Sequence, residues 1–292
     1  MEECWPNFFI AGAPKAGTTS LYWYLRNIPG IYMPSIKEPN YFSITTMPKH
    51  HSLRPIRDKR KYLNLFKDVT DEKIIVDASP HYLADPEAPH LIHQVVPHAC
   101  ILISLRDPVE LIFSSYLKKI GVGVLHMSLN DEIQNALHKK IDPRKSSLNL
   151  EDGMYSENVK RYFDIFGREQ VKVIIFEEFI KDAKGTVEEI LRFLGISQKL
   201  DNFDAEAHNP FSIARGPIAR YILSHRSTGF IAKKVFSTSV REILKDKVLS
   251  KKSPKPKMEP QDRETLIRFY SEDVKKIEDT LGRKLPWPNF KN

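Results

Sequence analysis

Apolar residues along the chain fall into two kinds of pattern. Four runs, at 8–11, 74–77, 100–105 and 171–176, have strand length and β-branched content. They are continuous rather than alternating, the pattern of strands buried on both faces of a parallel sheet. Between them the apolar spacing becomes helical, over 18–26, 86–96, 109–120, 156–166 and 186–194, with Gly121, Gly167 and Gly195 as C-terminal stops. Strand and helix in alternation predict an α/β fold, a three-layer α/β/α arrangement around a central parallel sheet with right-handed crossovers. From about residue 210 strand signals cease, and patterns at 239–248 and 263–281 predict a helical C-terminal extension over about 210–292. A single domain over 1–292, with its core at about 5–200, is expected. Two irregular basic stretches interrupt this order, at 48–61 and at 250–258, where the prolines of SKKSPKPKM exclude a helix interior.

Composition narrows the function classes. Hydrophobic residues are 41% and charged residues 28% of the 292, close to a soluble globular average. The N-terminal MEECWPNFFIAG is acidic ahead of an apolar segment too short for a membrane span or a signal sequence, so a cytoplasmic protein without a transmembrane segment is expected. Cys4 and Cys100 lack metal or redox spacing, and the ten histidines, including His90 and His93, form no recognisable zinc set. The net charge of +8 suits nucleic acid, an anionic membrane, or anionic small molecules and glycans. The basic residues are dispersed and carry no nucleic-acid motif, so no nucleic-acid partner is expected. Oligomeric state is not legible.

The chemistry begins at NFFIAGAPKAGTTSL, residues 7–21. An apolar run enters a Gly-Pro-Lys-Gly turn and then a Thr-Thr-Ser helix start, where backbone N–H groups and the helix dipole cradle phosphate oxygens. Gly12 and Gly17 have Walker A spacing, but Thr18-Thr19 follow where that motif has Lys and then Ser or Thr, and Lys15 lies inside the loop. A Walker A hydroxyl holds the magnesium that offsets two phosphates. A sulfonate carries one negative charge, so a lysine at the bridging oxygen would stabilise the leaving phosphate without a metal. The plainer reading is a strand-to-helix turn and nothing more.

Arg106, at the end of the third strand, points to the crevice where open α/β sheets bind ligands. Ser114, eight residues on, would share a helical face with it and complete a second anion site. The alternative is a local Arg106–Asp107 ion pair at a helix start. After the first helix comes KEPNYF, 37–42, in which Glu38 lies beside aromatics that can raise a carboxyl pKa into the range of a general base. The plainer reading is a surface Lys-Glu pair before Pro39.

The pairing of AGAPKAGTTSLY with ISLRDPVELIFSSYL resembles the 5′-phosphosulfate loop and the 3′-phosphate motif of sulfotransferases that use 3′-phosphoadenosine 5′-phosphosulfate (PAPS), and the likeness covers most of the chain. It implies a P-loop-like fold, PAPS as donor, 3′,5′-adenosine bisphosphate (PAP) as product, and no metal. By that resemblance Lys15, Ala16, Gly17, Thr18, Thr19 and Ser20 hold the 5′ phosphosulfate, and Arg106 and Ser114 the 3′ phosphate. Gly153-Met154-Tyr155 is similar to a Gly-x-Tyr segment of the carbohydrate branch, which brings Tyr155 to the nucleotide. The segment with Lys251, Lys252 and Lys255 resembles a late basic loop that closes over the nucleotide there, although by itself it reads as a solvated loop. KEPNYF resembles the turn of heparan and related carbohydrate sulfotransferases whose glutamate is the catalytic base, implying that role for Glu38. VDASPHYL, 76–83, is similar to a Glu-Lys-Thr-Pro-x-Tyr segment, with Ala78 in place of a lysine that lies by sulfate and acceptor. Either Lys37 or His81 substitutes, or the acceptor differs. The expected acceptor is a hydroxyl or amine of a small molecule or glycan, in a cleft shaped by about 120–150 and 210–247. The Golgi-resident enzymes of that branch have a membrane anchor, so a heparan-type polymer does not follow.

Two rivals remain. A P-loop kinase using ATP and magnesium fits if Asp77, at the end of IIVD, is a metal ligand, although the missing Gly-Lys-Ser/Thr removes its phosphate lysine. A non-catalytic nucleotide- or anion-binding module would use the same basic cleft and survive loss of Glu38.

Overall fold

The computed structural model describes residues 3–43, 55–121, 124–138, 148–198, 200, 203, 212–214, 250–252 and 256–291. Five strands, β1 (Phe8–Gly12), β2 (Ile31–Tyr32), β3 (Ile74–Asp77), β4 (Cys100–Leu105) and β5 (Val171–Ile175), form one parallel sheet in the order β2-β3-β1-β4-β5. The chain leaves β1 for one side of the sheet and, after β3, crosses to the other at β4. The carboxyl end of β1 is therefore the switch point where such sheets bind ligands.

Helices cover both faces of the sheet. Phe8 and Ile10 of β1 pack with Leu21 and Leu25 of α1 (Thr18–Arg26), with Val76, Leu102 and Ile174 of the neighbouring strands, and with Val187 and Ile190 of a later helix, Ala183–Phe193. Phe9 points the other way, against the rings of Phe42 and Tyr82. The remaining described helices are α2 (Lys59–Leu63), α3 (Ala88–Val95), α4 (Pro108–Gly121), α5 (Leu129–Leu137), α6 (Ser156–Phe166), α7 (Phe176–Phe179), α8 (Ala183–Phe193) and α9 (Pro260–Leu281). His93 of α3 packs edge-on against Phe166 of α6, an ordinary core contact.

The chain divides into two compact units, one of Met1–Leu111, Glu151–Glu206 and Ile267–Asn292, the other of Ile112–Leu150 and Ala207–Leu266. The first contains the whole parallel sheet. The second contains α5 and an antiparallel pair, β6 (Ser212–Ala214) with β7 (Ser250–Lys252).

That pair overturns the expectation that strands cease near residue 210. Each strand has three residues, SIA and SKK, too short to show an apolar run. For the same reason the two-residue β2 leaves no periodic trace. The basic stretch 48–61 was expected to be irregular, yet Asp58 accepts from the Lys61 N–H and starts α2. Ser128 likewise starts α5, accepting from the Asp131 N–H. The fourth run stops at Ile175 because Phe176 already begins α7. The helical pattern at 239–248 lies outside the described residues.

Candidate active site

The loop between β1 and α1 is fastened to the neighbouring strand. Ala13 N–H donates to the Ser104 carbonyl at 2.7 Å, and Ser104 Oγ donates to the Ala16 carbonyl at 2.6 Å. One strand residue thus holds both sides of the turn. Lys15 is half-buried at φ 66°, in the left-handed region that a residue with a side chain rarely occupies. Such strain persists where surrounding bonds determine it, and it gathers at binding sites. Gly17, at φ 81°, is the N-cap of α1 and supplies no side-chain cap, so the first-turn N–H groups of Thr18, Thr19 and Ser20 meet no capping oxygen from that position. Thr18 and Ala16 are buried, whereas Thr19 and Ser20 are half-buried.

A Cβ on Gly17 would lie 2.9 Å from Phe176 and 3.0 Å from Phe179, on top of the positive φ. Gly17→Ala is expected to lose roughly 2 kcal/mol or more of stability from backbone strain and overpacking together. Urea unfolding of the two proteins measures this.

Arg106 leaves the end of β4 and reaches beneath the loop. Nη1 donates to the Lys15 carbonyl at 2.9 Å, and the guanidinium lies 4.7 Å from the Phe176 ring centroid. Nε is buried without a hydrogen-bond partner among the described residues, an arrangement that invites an acceptor from a ligand. Burial lowers the Arg106 pKa and nearby Glu177 opposes this, so the group remains a cation. Asp107 is not its ion partner. Asp107 Oδ1 accepts from Val109 N–H at 3.0 Å at the start of α4, and Oδ2 accepts from Asn289 Nδ2 at 2.9 Å. The residue is therefore a helix cap and an anchor for the C-terminal segment.

Tyr155 is fully buried, and its hydroxyl donates to the Arg106 carbonyl at 2.9 Å. The structure places it as a support under Arg106. A Cβ on Gly153 would come within 3.0 Å of Pro108 and Tyr270, so this close approach needs glycine two residues before Tyr155.

Glu38 lies at the same edge of the sheet. Its N–H donates to the Ala78 carbonyl just beyond β3, at 3.1 Å, and β3 pairs with β1 through Phe9 and Asp77. The Lys37 ammonium reaches Glu38 Oε1 at 2.6 Å with both side chains about one-fifth exposed, so Lys37 brings a cation to the carboxylate. Glu38 and Asn40 have φ of 60° and 50°, which with Lys15 are the positive non-glycine values among the described residues. His81 is half-buried in the 3₁₀ turn Pro80–Tyr82, and the Ala78 side chain is buried.

Behind Glu38 stands Asp77, fully buried. Its Oδ1 accepts from Ser79 Oγ at 2.6 Å, and its Oδ2 accepts from the hydroxyls of Tyr62 at 2.7 Å and Tyr82 at 2.8 Å. Both oxygens are occupied by protein donors, which disfavours the kinase reading of Asp77 as a metal ligand. Burial raises its pKa from 3.8 to about 6, opposed by the three hydroxyls and by Lys37. The folded-state pKa is above the unfolded one, so this group's stabilisation is complete below pH 3.8 and is lost as pH rises through about 6. Asp77→Asn has no such dependence. The unfolding free energy of the native chain relative to this variant should fall by about 3 kcal/mol between pH 3 and 7. Denaturant titrations across that range test it.

Other expected site residues belong to the second unit. Ser114 is a half-buried residue of α4, in the second unit. The helix starts at Pro108, so the two-turn count from Arg106 does not apply, because Arg106 is not helical. Lys251 and Lys252 belong to β7, not to a loop, and Lys255 lies outside the described residues. Ser104 and Tyr62 escaped the sequence reading, and Asp77 entered it only as the metal ligand of the rival kinase. Ser104 looks like one polar interruption of a buried strand, the only local signal it gives.

Residues 6–200 match the family model described as the sulfotransferase family. The chain is 31% identical to a solved sulfotransferase from Alicyclobacillus acidocaldarius, with a TM-score of 0.72 over 97% of this chain and 98% of that one. Carbohydrate sulfotransferase 15 of Homo sapiens is 25% identical over 270 residues, covering 74% of this chain and 48% of the human protein. The chain thus spans about half the length of the curated relatives it matches. A mouse sulfotransferase crystallised with PAP shares the fold, with a TM-score of 0.53 over 95% of this chain and 89% of that one, at 15% identity. A loop with an internal lysine at the switch point of a parallel sheet, and these likenesses along most of its length, lead to one conclusion: the chain belongs to the sulfotransferase family.

Proposed function

We propose that the protein transfers a sulfuryl group from PAPS to a hydroxyl or amine of a small-molecule or glycan acceptor. The observation that carries this reading is Lys15, held at a positive φ inside a loop at the start of α1, above an arginine whose buried Nε has no partner among the described residues. These donors suit an adenosine nucleotide with phosphate at two positions. The residues that would hold it are Lys15, Ala16, Gly17, Thr18, Thr19 and Ser20 on the 5′ side and Arg106, with Ser114, on the 3′ side; Tyr155 braces Arg106, and Lys251, Lys252 and Lys255 belong to the same proposal as a covering segment.

When bound, the donor supplies an activated sulfuryl group on a phosphate leaving group. Lys15 donates to the oxygen that gains charge as the S–O bond breaks. Glu38 accepts the acceptor proton as the new bond to sulfur forms. Lys37, at 2.6 Å from Glu38, takes the place of the family lysine that Ala78 replaces. The carbohydrate sulfotransferase among the relatives supports a glycan acceptor.

The test is incubation with PAPS radiolabelled in its sulfuryl group, in EDTA, with chitosan oligosaccharide, desulfated heparin and a simple phenol as acceptors. Label in an acceptor, with PAP formed in equal amount, is the expected result. Phosphate transfer from ATP with magnesium, and none from PAPS, would overturn it.

A further inference from the structure

A chain of hydrogen bonds connects a buried carboxylate to the turn that carries Glu38. Asp77 Oδ1 accepts from Ser79 Oγ at 2.6 Å, and that hydroxyl oxygen in turn accepts from the backbone N–H of Asn40 at 3.0 Å. Asn40, itself fully buried, returns its Nδ2 to the Glu38 carbonyl at 2.9 Å, while the Glu38 N–H is held by the Ala78 carbonyl at 3.1 Å. Three links therefore run from Asp77 to the Glu38 carbonyl, and the Glu38 N–H is held separately by Ala78, the residue that follows Asp77.

The turn needs such fixing. Glu38 and Asn40, two residues apart, are both left-handed, each a conformation that costs a side-chain-bearing residue on the order of 1 kcal/mol. Released, the segment would relax toward ordinary φ and carry the Glu38 carboxylate away from its place. The fixing is directional, because Ser79 gives its proton to Asp77 and so turns its lone pairs to the Asn40 N–H. An ionised Asp77 has no proton and sets that direction, and Tyr62 and Tyr82 fasten its other oxygen. Burying a carboxylate among aromatic rings is costly, so a purely structural site would be served as well by an apolar side chain.

We propose that Asp77 is a positioning residue for the reaction, acting through Ser79 and Asn40 to hold Glu38 in its strained, acceptor-facing conformation. This rests on Glu38 being the base, as proposed above. The groups facing Asp77 are Lys37 beside the turn, Tyr62 from α2 and Tyr82 from the 3₁₀ turn, with Tyr162 of α6 near enough to feel its charge. A base displaced by about 1 Å loses up to about 100-fold in rate.

The experiment is a double-mutant cycle. Wild type, Asp77→Asn, Glu38→Gln and the double variant are compared for PAP release from PAPS with chitosan oligosaccharide, per PAP-binding site counted by calorimetry. Asp77→Asn should lower kcat by about 10- to 100-fold with PAP affinity within twofold, and should have less than a twofold effect in the Glu38→Gln background. An equal loss in both backgrounds, or unchanged kcat in Asp77→Asn, would overturn the proposal. Wild-type turnover in Glu38→Gln alone would instead overturn the reading of Glu38. Amide hydrogen exchange of Ser79→Ala supplies a readout without turnover. Faster exchange at Asn40 and Glu38, with residues 13–20 unchanged, is expected, and unchanged exchange at Asn40 and Glu38 counts against the positioning role.

Discussion

Lys15→Met is expected to lower the proposed sulfuryl transfer by about 100- to 1,000-fold with little change in acceptor KM, the effect of deleting one donor aimed at developing charge. Methionine keeps the length and half-burial of the side chain and bears the same strain at φ 66°, so the comparison isolates the ammonium. The loop should keep its shape, because its backbone bonds to Ser104 and Arg106 remain. Lys15→Arg should recover little, since a planar fork does not place one donor at the bridging oxygen as a compact ammonium does. Initial rates at saturating donor, paired with PAP affinity, check the prediction. Equal losses in donor affinity and rate would make Lys15 a binding residue only.

With Glu38 as the proposed base, Glu38→Gln is expected to lower kcat by about 100- to 10,000-fold, the range for loss of a positioned general base. Glutamine retains the shape and the backbone bonds to Ala78 and Asn40, and loses the ability to take a proton. Donor affinity should be unchanged, because PAP has no acceptor group to present to Glu38. This separates the enzyme from a binding module, which loses nothing with Glu38. Steady-state kinetics with the acceptor found in the transfer assay provide the check.

What could be seen in the chain beforehand follows from how each feature is encoded. The four long strands announce themselves because burial on both faces forces continuous apolar runs, and the loop announces itself because glycines and hydroxyls cluster at a strand end. Arg106 was visible from its place after such a run. What it does was not, since its bond to the Lys15 carbonyl crosses 91 positions of sequence. Asp77 was visible only as the polar end of IIVD, equally suited to a metal. Its three hydroxyl partners come from Tyr62, Ser79 and Tyr82, and Tyr62 reaches it only through folding of α2. The strands β6 and β7 pair residues about forty positions apart and have three residues each, so nothing local marks them.

The most direct measurement is calorimetric titration of the chain with PAP in EDTA, beside ATP with magnesium. The account predicts one PAP site per chain with a Kd of about micromolar order, indifferent to EDTA and weakened about 100-fold or more in Arg106→Ala, whose guanidinium leaves both the loop and the ligand. Absence of PAP binding, or ATP bound more tightly than PAP and only with magnesium, would contradict it.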